Sequence, residues 1–192
     1  MKKILIINGH PDTESFNKAL ADAYHTGVKK TDAEVSVLNI GELEFNPNLE
    51  FGYRKRTSFE PDLEMAIEKI KWADHLVWVY PMWWSSMPAK LKGFIDRTFL
   101  PGITFDYVEG KVFPKKLLKG KTGRLIVTAD SPHWYHRIII GNPIINQMKK
   151  GILQFCGVNP VKVTYIATIR KSTEKFRQDW LSKVEAIGYN DV

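Results

Sequence analysis

Lys3-Ile4-Leu5-Ile6-Ile7-Asn8, leading straight into Gly9-His10-Pro11-Asp12-Thr13-Glu14-Ser15-Phe16-Asn17, is the stretch on which the fold turns. An apolar, largely β-branched run without polar alternation belongs to a strand covered on both faces, as in a parallel sheet between helix layers. Phe16, Leu20, Tyr24 and Val28 then recur at helical spacing, which predicts a helix from about Ser15 to Lys30. The polar residues between the two elements form a short strand-to-helix turn.

The same alternation recurs down the chain. Strands are expected at Glu34 to Asn39, His75 to Tyr80, Arg124 to Thr128 and Val161 to Ala167. Between them lie helical patterns: Leu63, Ile67 and Ile70 after Pro61, then Leu91, Ile95 and Phe99 with Pro88 as first helical residue. A further helix opens at Asn142-Pro143, with Ile145, Met148, Ile152 and Phe155 inward and Gly157 as its stop. The last, with Phe176, Trp180, Val184 and Ile187, starts at Ser172 and ends at Gly188. Right-handed crossovers then give an α/β three-layer sandwich with a five-stranded parallel sheet in the flavodoxin-like order 2-1-3-4-5. Residues 1–192 read as a single domain, with unpatterned stretches at Gly41 to Glu60 and Leu100 to Lys121.

Composition narrows the function classes. Of 192 residues, 44% are hydrophobic and 26% charged, which disfavours disorder. The apolar runs are far below the ~20 residues of a membrane span, and the first ten residues lack a signal-peptide pattern. The single cysteine, Cys156, rules out an intrachain disulfide and a multi-cysteine metal site, and sits in an apolar segment as a packing residue. A cytoplasmic protein is expected. The net charge of +7 is spread in pairs and triplets along the chain, so no nucleic-acid partner is expected, although such a field favours anionic small molecules.

In this fold, ligands bind beyond the carboxyl ends of the strands, where the strand order reverses. Three loops meet that condition. The first, Asn8 to Asn17, ends at a helix N-terminus that suits a phosphate, with Ser15, Asn17 and His10 as added donors. It contains neither a dinucleotide-fold glycine fingerprint nor a P-loop. The second, Tyr80-Pro81-Met82-Trp83-Trp84-Ser85-Ser86-Met87-Pro88, sets two tryptophans between prolines. At least one indole should stay near the surface, and the free backbone groups suit the edge of a planar heteroaromatic ligand. The third, Thr128-Ala129-Asp130-Ser131-Pro132-His133-Trp134-Tyr135-His136, adds a third tryptophan to the same end of the sheet. His133 and His136 lack partners for a metal site, so no metal is expected.

The His10…Ser15-Phe16-Asn17 loop, the run Tyr80-Pro81-Met82-Trp83-Trp84 followed by Met87-Pro88-Ala89-Lys90-Leu91-Lys92-Gly93-Phe94-Ile95-Asp96-Arg97, and Gly151-Ile152-Leu153-Gln154-Phe155-Cys156-Gly157 carry a family likeness. Together they resemble the flavodoxin-like NAD(P)H:quinone oxidoreductases, a family that includes DT-diaphorase, the modulator-of-drug-activity proteins and ancillary subunits of potassium efflux systems. The resemblance implies a flavin, FMN or FAD, with its phosphate held by His10, Ser15, Phe16 and Asn17. It implies that Pro81, Met82, Trp83 and Trp84 lie against the isoalloxazine ring, and that Thr128, Ala129, Asp130 and Tyr135 meet its pyrimidine edge, with Tyr135 as the catalytic donor. Ping-pong hydride transfer from NAD(P)H to a quinone or similar acceptor would follow. The alternatives are a regulatory ancillary flavoprotein, peripherally associated with a potassium efflux antiporter, and a flavodoxin-type electron carrier. No direct membrane insertion is expected.

Two departures stand out. Val127-Thr128-Ala129-Asp130 replaces the two threonines and two glycines common in the family, setting an acid near the pyrimidine edge. Gly141 stands where some members carry a histidine six residues after the loop tyrosine. A homodimer is expected, because Phe105, Tyr107 and Phe113 in the unpatterned stretch, together with the tryptophan loop, are better covered by a partner.

Overall fold

The computed structural model describes all 192 residues. In chain order they form β1 (Lys3–Asn8), α1 (Phe16–Lys29), β2 (Glu34–Asn39), α2 (Pro61–Trp72), β3 (His75–Pro81) and α3 (Ala89–Thr98). A two-stranded hairpin, β4 (Phe105–Asp106) and β5 (Lys115–Lys116), precedes β6 (Thr122–Thr128) and the short α4 (His133–Ile138). Next come α5 (Pro143–Ile145), which continues as a π-helix over Asn146–Gln154, then β7 (Val161–Ile166) and α6 (Glu174–Asn190).

The main sheet has the order β2-β1-β3-β6-β7, all parallel, which is the expected 2-1-3-4-5 arrangement once the small hairpin is set aside. Period-two alternation sends neighbouring residues to opposite layers. Ile4 and Ile6, with Val77, Val79 and Ile126, face Leu20, Tyr24, Val28 and Val184 of α1 and α6. Leu5 and Ile7, with Trp78, Tyr80, Leu125 and Val127, face the layer built from α2, α3 and the π-helix. Burial on both faces explains why β1 reads as an uninterrupted apolar run.

Several expected boundaries move for identifiable reasons. Gly188 lies inside α6 rather than ending it. A Cβ there would strike the Tyr24 carbonyl, and one on Gly27 would strike that of Glu185, so these glycines let the backbones of α1 and α6 approach closely. The start of α6 is displaced from Ser172 because Ile169–Lys171 forms a 3₁₀ turn and Thr173 is the cap, its hydroxyl accepting from the Phe176 N–H. Pro88 has ψ 144° and occupies the cap position of α3, not its first helical turn. In the π-helix, i→i+5 bonding brings Met148 into phase with Leu153. Both are buried, whereas Ile152 is only partly buried and Phe155 points outward. Gly157, at φ +110°, ends that segment as expected.

The stretch from Leu100 to Lys121 does not present all its aromatics to solvent. Phe105 is buried against Phe155, with ring centroids 5.1 Å apart, while Tyr107 and Phe113 remain exposed. Cys156 is buried and its thiol lies 3.5 Å from the Thr104 hydroxyl, the packing role expected of it. No helix is long and apolar enough to cross a membrane.

Candidate active site

The carboxyl ends of β1, β3 and β6 meet at an open depression of about 360 Å³. Its walls include His10, Ser15, Phe16 and Asn17 from the first loop, Pro81, Met82 and Trp83 from the second, and Thr128, Ala129 and Asp130 from the third. Ten residues singled out from sequence thus share one cavity. Asp12, Ile169 and Arg177 complete the lining. Arg177 comes from α6, far along the chain, and its guanidinium lies 5.7 Å from the Phe16 ring. Its polar contacts are to the Ser172 hydroxyl at 2.9 Å and the Ile169 carbonyl at 3.5 Å. A basic residue in an amphipathic helix gives no local signal of such a role; only the approach of α6 to α1 brings it here.

Ser15 caps α1, its oxygen accepting the Lys18 N–H at 3.2 Å. That bond uses a lone pair and leaves the hydroxyl proton available to a ligand. The Phe16 and Asn17 N–H groups have no intrahelical acceptor, being in the first turn. Asn17 is 4% exposed. Its carboxamide oxygen accepts the Thr128 hydroxyl at 3.0 Å, while its Nδ2 is buried without a partner. An unsatisfied buried donor costs about 1–3 kcal/mol unless something accepts from it. Together with the α1 N-terminus and the Arg177 charge, this donor makes an anion cradle.

His10 is held by short-range bonds. Its N–H donates to the Asn8 side chain, and its Nδ1 accepts the Asp12 N–H at 3.0 Å. The ring is therefore the Nε2–H tautomer, a donor. Burial lowers its pKa despite the opposing pull of Asp12, which favours the neutral form. The His10 ring meets Trp83 edge-on, at 5.5 Å.

The second loop differs from expectation in one respect. Its backbone is not largely free: the Met82 N–H donates to Thr128 at 2.7 Å, and Trp83 and Ser86 exchange both N–H···O=C bonds at 2.9 Å. Between them Trp84 and Ser85 have φ of 50° and 61°, so the loop is a tight turn with two consecutive left-handed residues. This turn directs Trp84 away from the depression, and its side chain is fully exposed. Trp83, half-exposed, is the tryptophan that lines the cavity.

Asp130 accepts the Arg170 N–H at 2.7 Å, so its carboxylate braces the turn after β7 as well as lining the cavity. Tyr135 stands on α4, partly exposed and outside the lining residues. His136, one residue on, is buried with Nε2 3.3 Å from the Ser85 hydroxyl. The structure therefore gathers the expected site residues except Trp84 and Tyr135.

The family model described as a flavodoxin-like fold matches residues 2–187. The chain belongs to this family. Its relatives include a Haemophilus influenzae protein named "Uncharacterized NAD(P)H oxidoreductase", 27% identical over 179 residues that cover 91% of this chain and 88% of that one. NAD(P)H dehydrogenase [quinone] 1 of Rattus norvegicus is 22% identical, over 97% of this chain and 78% of its own. Among solved structures, Smu.1420 from Streptococcus mutans UA159 superposes with a TM-score of 0.86 at 35% identity, covering 98% of this chain and 99% of the other. This flavodoxin-like chain is accordingly an enzyme of the oxidoreductase class.

Proposed function

We propose that this flavodoxin-like oxidoreductase is a flavin-dependent NAD(P)H:quinone oxidoreductase. The observation that carries the reading is the unpartnered, buried Asn17 Nδ2 beside the α1 N-terminus and Arg177, in a cavity otherwise walled by Pro81, Met82, Trp83 and the Thr128–Asp130 strand end. A phosphate needs donors and positive charge, and a planar ring needs an apolar wall. This cavity offers both. The names of the Haemophilus and rat relatives support the nucleotide and quinone classes.

The residues fit the group in the following way. The N–H groups of Phe16 and Asn17, the Ser15 hydroxyl, Asn17 Nδ2 and the neutral His10 Nε2–H would hold the phosphate, with Arg177 supplying charge. The Arg177 guanidinium lies over the Phe16 ring, within cation–π range at 5.7 Å, and is held by the Ser172 hydroxyl and the Ile169 carbonyl. Pro81 and Met82 cannot shift easily, because β3 pairs with β6 up to Pro81–Thr128 and the Met82 N–H extends that ladder. They would give the ring a rigid wall. A flavin held there would supply two-electron chemistry between NAD(P)H and a quinone, the two substrates using the site in turn as a ping-pong scheme requires. Tyr135 would donate a hydrogen bond toward the pyrimidine edge from α4, the element that His136 ties to Ser85. Asp130 already accepts the Arg170 N–H, which ties its carboxylate to the turn after β7.

A homodimer is part of the same reading. Trp84 in the second loop and Trp134, Ile138 and Ile139 in and just after α4 are exposed apolar groups, and a second apolar groove runs between Ile95, Ile152, Phe155 and Tyr107. A second copy covering these groups would also shield the ligand from water. Flavin identification on the purified protein tests the proposal: a tightly held FMN or FAD supports it, and a flavin-free protein that takes up neither rejects it.

A further inference from the structure

The hairpin β4–β5 ends in a tip that lines neither the cavity nor the apolar groove; Phe105 and Tyr107 line that groove, whereas Phe113, grouped with them from sequence, faces the lysines of the tip instead. Val112 and Phe113, just after the Val108–Lys111 turn, are 92% and 81% exposed. Around them stand Lys111, Lys115, Lys116 and Lys119, all exposed, and no Asp or Glu occurs between Gly110 and Ala129. Lys111, Lys115 and Lys119 form no ion pair, and Lys116 donates only to the Gln154 carbonyl. Two acids share the hairpin with these four lysines: Asp106, across the ladder from Lys115 with its carboxylate accepting the Tyr107 N–H, and Glu109, in the turn that the Lys111 N–H closes onto the Val108 carbonyl.

The tip is braced. Leu117 donates to Thr104 at 3.1 Å and Leu118 to Cys156 at 3.0 Å, and Leu118 is 1% exposed. Phe105 at the base is clamped between Phe155 and Tyr107. Burial of those apolar residues leaves Val112 and Phe113 as the ones held outward, on a platform that keeps the lysines in one rim. Apolar side chains encircled by lysines are the chemistry of an anionic lipid surface: the ammonium groups meet the headgroups while the apolar pair reaches the acyl boundary. Nucleic-acid faces favour arginine for its bidentate fork, and this rim contains none.

We infer that the β4–β5 tip docks the protein on an anionic phospholipid surface, with Val112 and Phe113 at headgroup depth and Lys111, Lys115 and Lys119 as electrostatic contacts. The inference does not depend on the identity of the bound cofactor or acceptor.

Co-sedimentation of the full-length protein, as purified, with vesicles of phosphatidylcholine alone or of equimolar phosphatidylcholine and phosphatidylglycerol tests it. The protein should bind the anionic vesicles and not the neutral ones, and added salt should weaken binding. Lys111→Gln with Lys115→Gln should reduce the partition coefficient by roughly twenty-five-fold, about fivefold per lysine. Phe113→Ser should reduce it further while leaving the oligomeric state and the flavin content unchanged. Equal binding to both vesicle types would overturn the inference. So would a change of oligomeric state in Phe113→Ser, which makes the tip a contact between copies. Tighter binding to single-stranded RNA than to anionic vesicles, lost in the same lysine variant, would assign the rim to nucleic acid instead.

Discussion

The Thr128 hydroxyl donates to the Asn17 carboxamide oxygen across 3.0 Å, joining the end of β6 to the first turn of α1. Both side chains are buried, and with the carboxamide oxygen engaged by Thr128, Nδ2 is the end without a partner. The same geometry holds two walls of the cavity in register.

Asn17→Ala should therefore weaken flavin binding by about tenfold or more, since it removes a ligand donor and strands the Thr128 hydroxyl. Adding Ser15→Ala should weaken it further and also cost about 1 kcal/mol of stability through the lost cap. Flavin retention on gel filtration, measured beside thermal unfolding, separates the two effects. Unchanged retention in the double variant would place the phosphate elsewhere.

Tyr135→Phe tests the donor assigned on α4. Rapid anaerobic mixing with NAD(P)H should show slower reduction of bound flavin, by up to ~10²-fold, with flavin affinity nearly unchanged. Equal rates in variant and parent would remove Tyr135 from the site as a donor; the Ala129 N–H, already given to the Ile166 carbonyl, does not replace it.

At the opposite end of the sheet, Asp191 gathers Arg124, Tyr24 and Lys162, with His75 Nε2 3.8 Å away. Burial pushes the His75 pKa down to about 4; Asp191 opposes this, and Lys2, Arg124 and Lys162 reinforce it. An unfolded histidine takes up a proton below about 6.5, so between 6.5 and 4 the unfolded chain binds more protons and stability decreases as the pH is lowered. The loss should reach about 3 kcal/mol by pH 4. Burial would raise the Asp191 pKa, but Arg124 and Lys162 hold it at about 2, so its contribution is intact above about 4 and is lost as pH falls from there through about 2. Denaturant unfolding across this range should show the slope in the parent and a shallower one in His75→Gln.

Light scattering at micromolar concentration should give a dimer. Trp84 is fully exposed on a turn that holds two left-handed residues, and such a conformation costs roughly 1–3 kcal/mol per residue. A clean monomer would remove the partner subunit from the account and leave the outer face of the cavity open to water.

The uninterrupted run Ile4 to Ile7 and the regular strand–helix alternation made the sheet order legible in the sequence, because burial on both faces leaves a composition that little else produces. Ten lining residues were legible for a related reason: loops at one end of a parallel sheet must converge. What the sequence concealed depends on backbone detail or distant contact. Trp84 and Trp83 are adjacent and alike, and only the turn between Trp83 and Ser86 decides which faces the cavity. Arg177 reaches the site because Gly27 and Gly188 let α1 and α6 close together. The π-helix shifted the inward face from Ile152 to Leu153, a change of period that side-chain spacing alone does not announce.

The most direct measurement of the central claim is an anaerobic titration of the purified, flavin-loaded protein with NAD(P)H, followed by addition of a quinone. The account predicts that stoichiometric NAD(P)H bleaches the flavin absorbance and that the quinone restores it without oxygen. A flavin spectrum that NAD(P)H leaves unchanged, or a reduced protein that no quinone reoxidises, would contradict it.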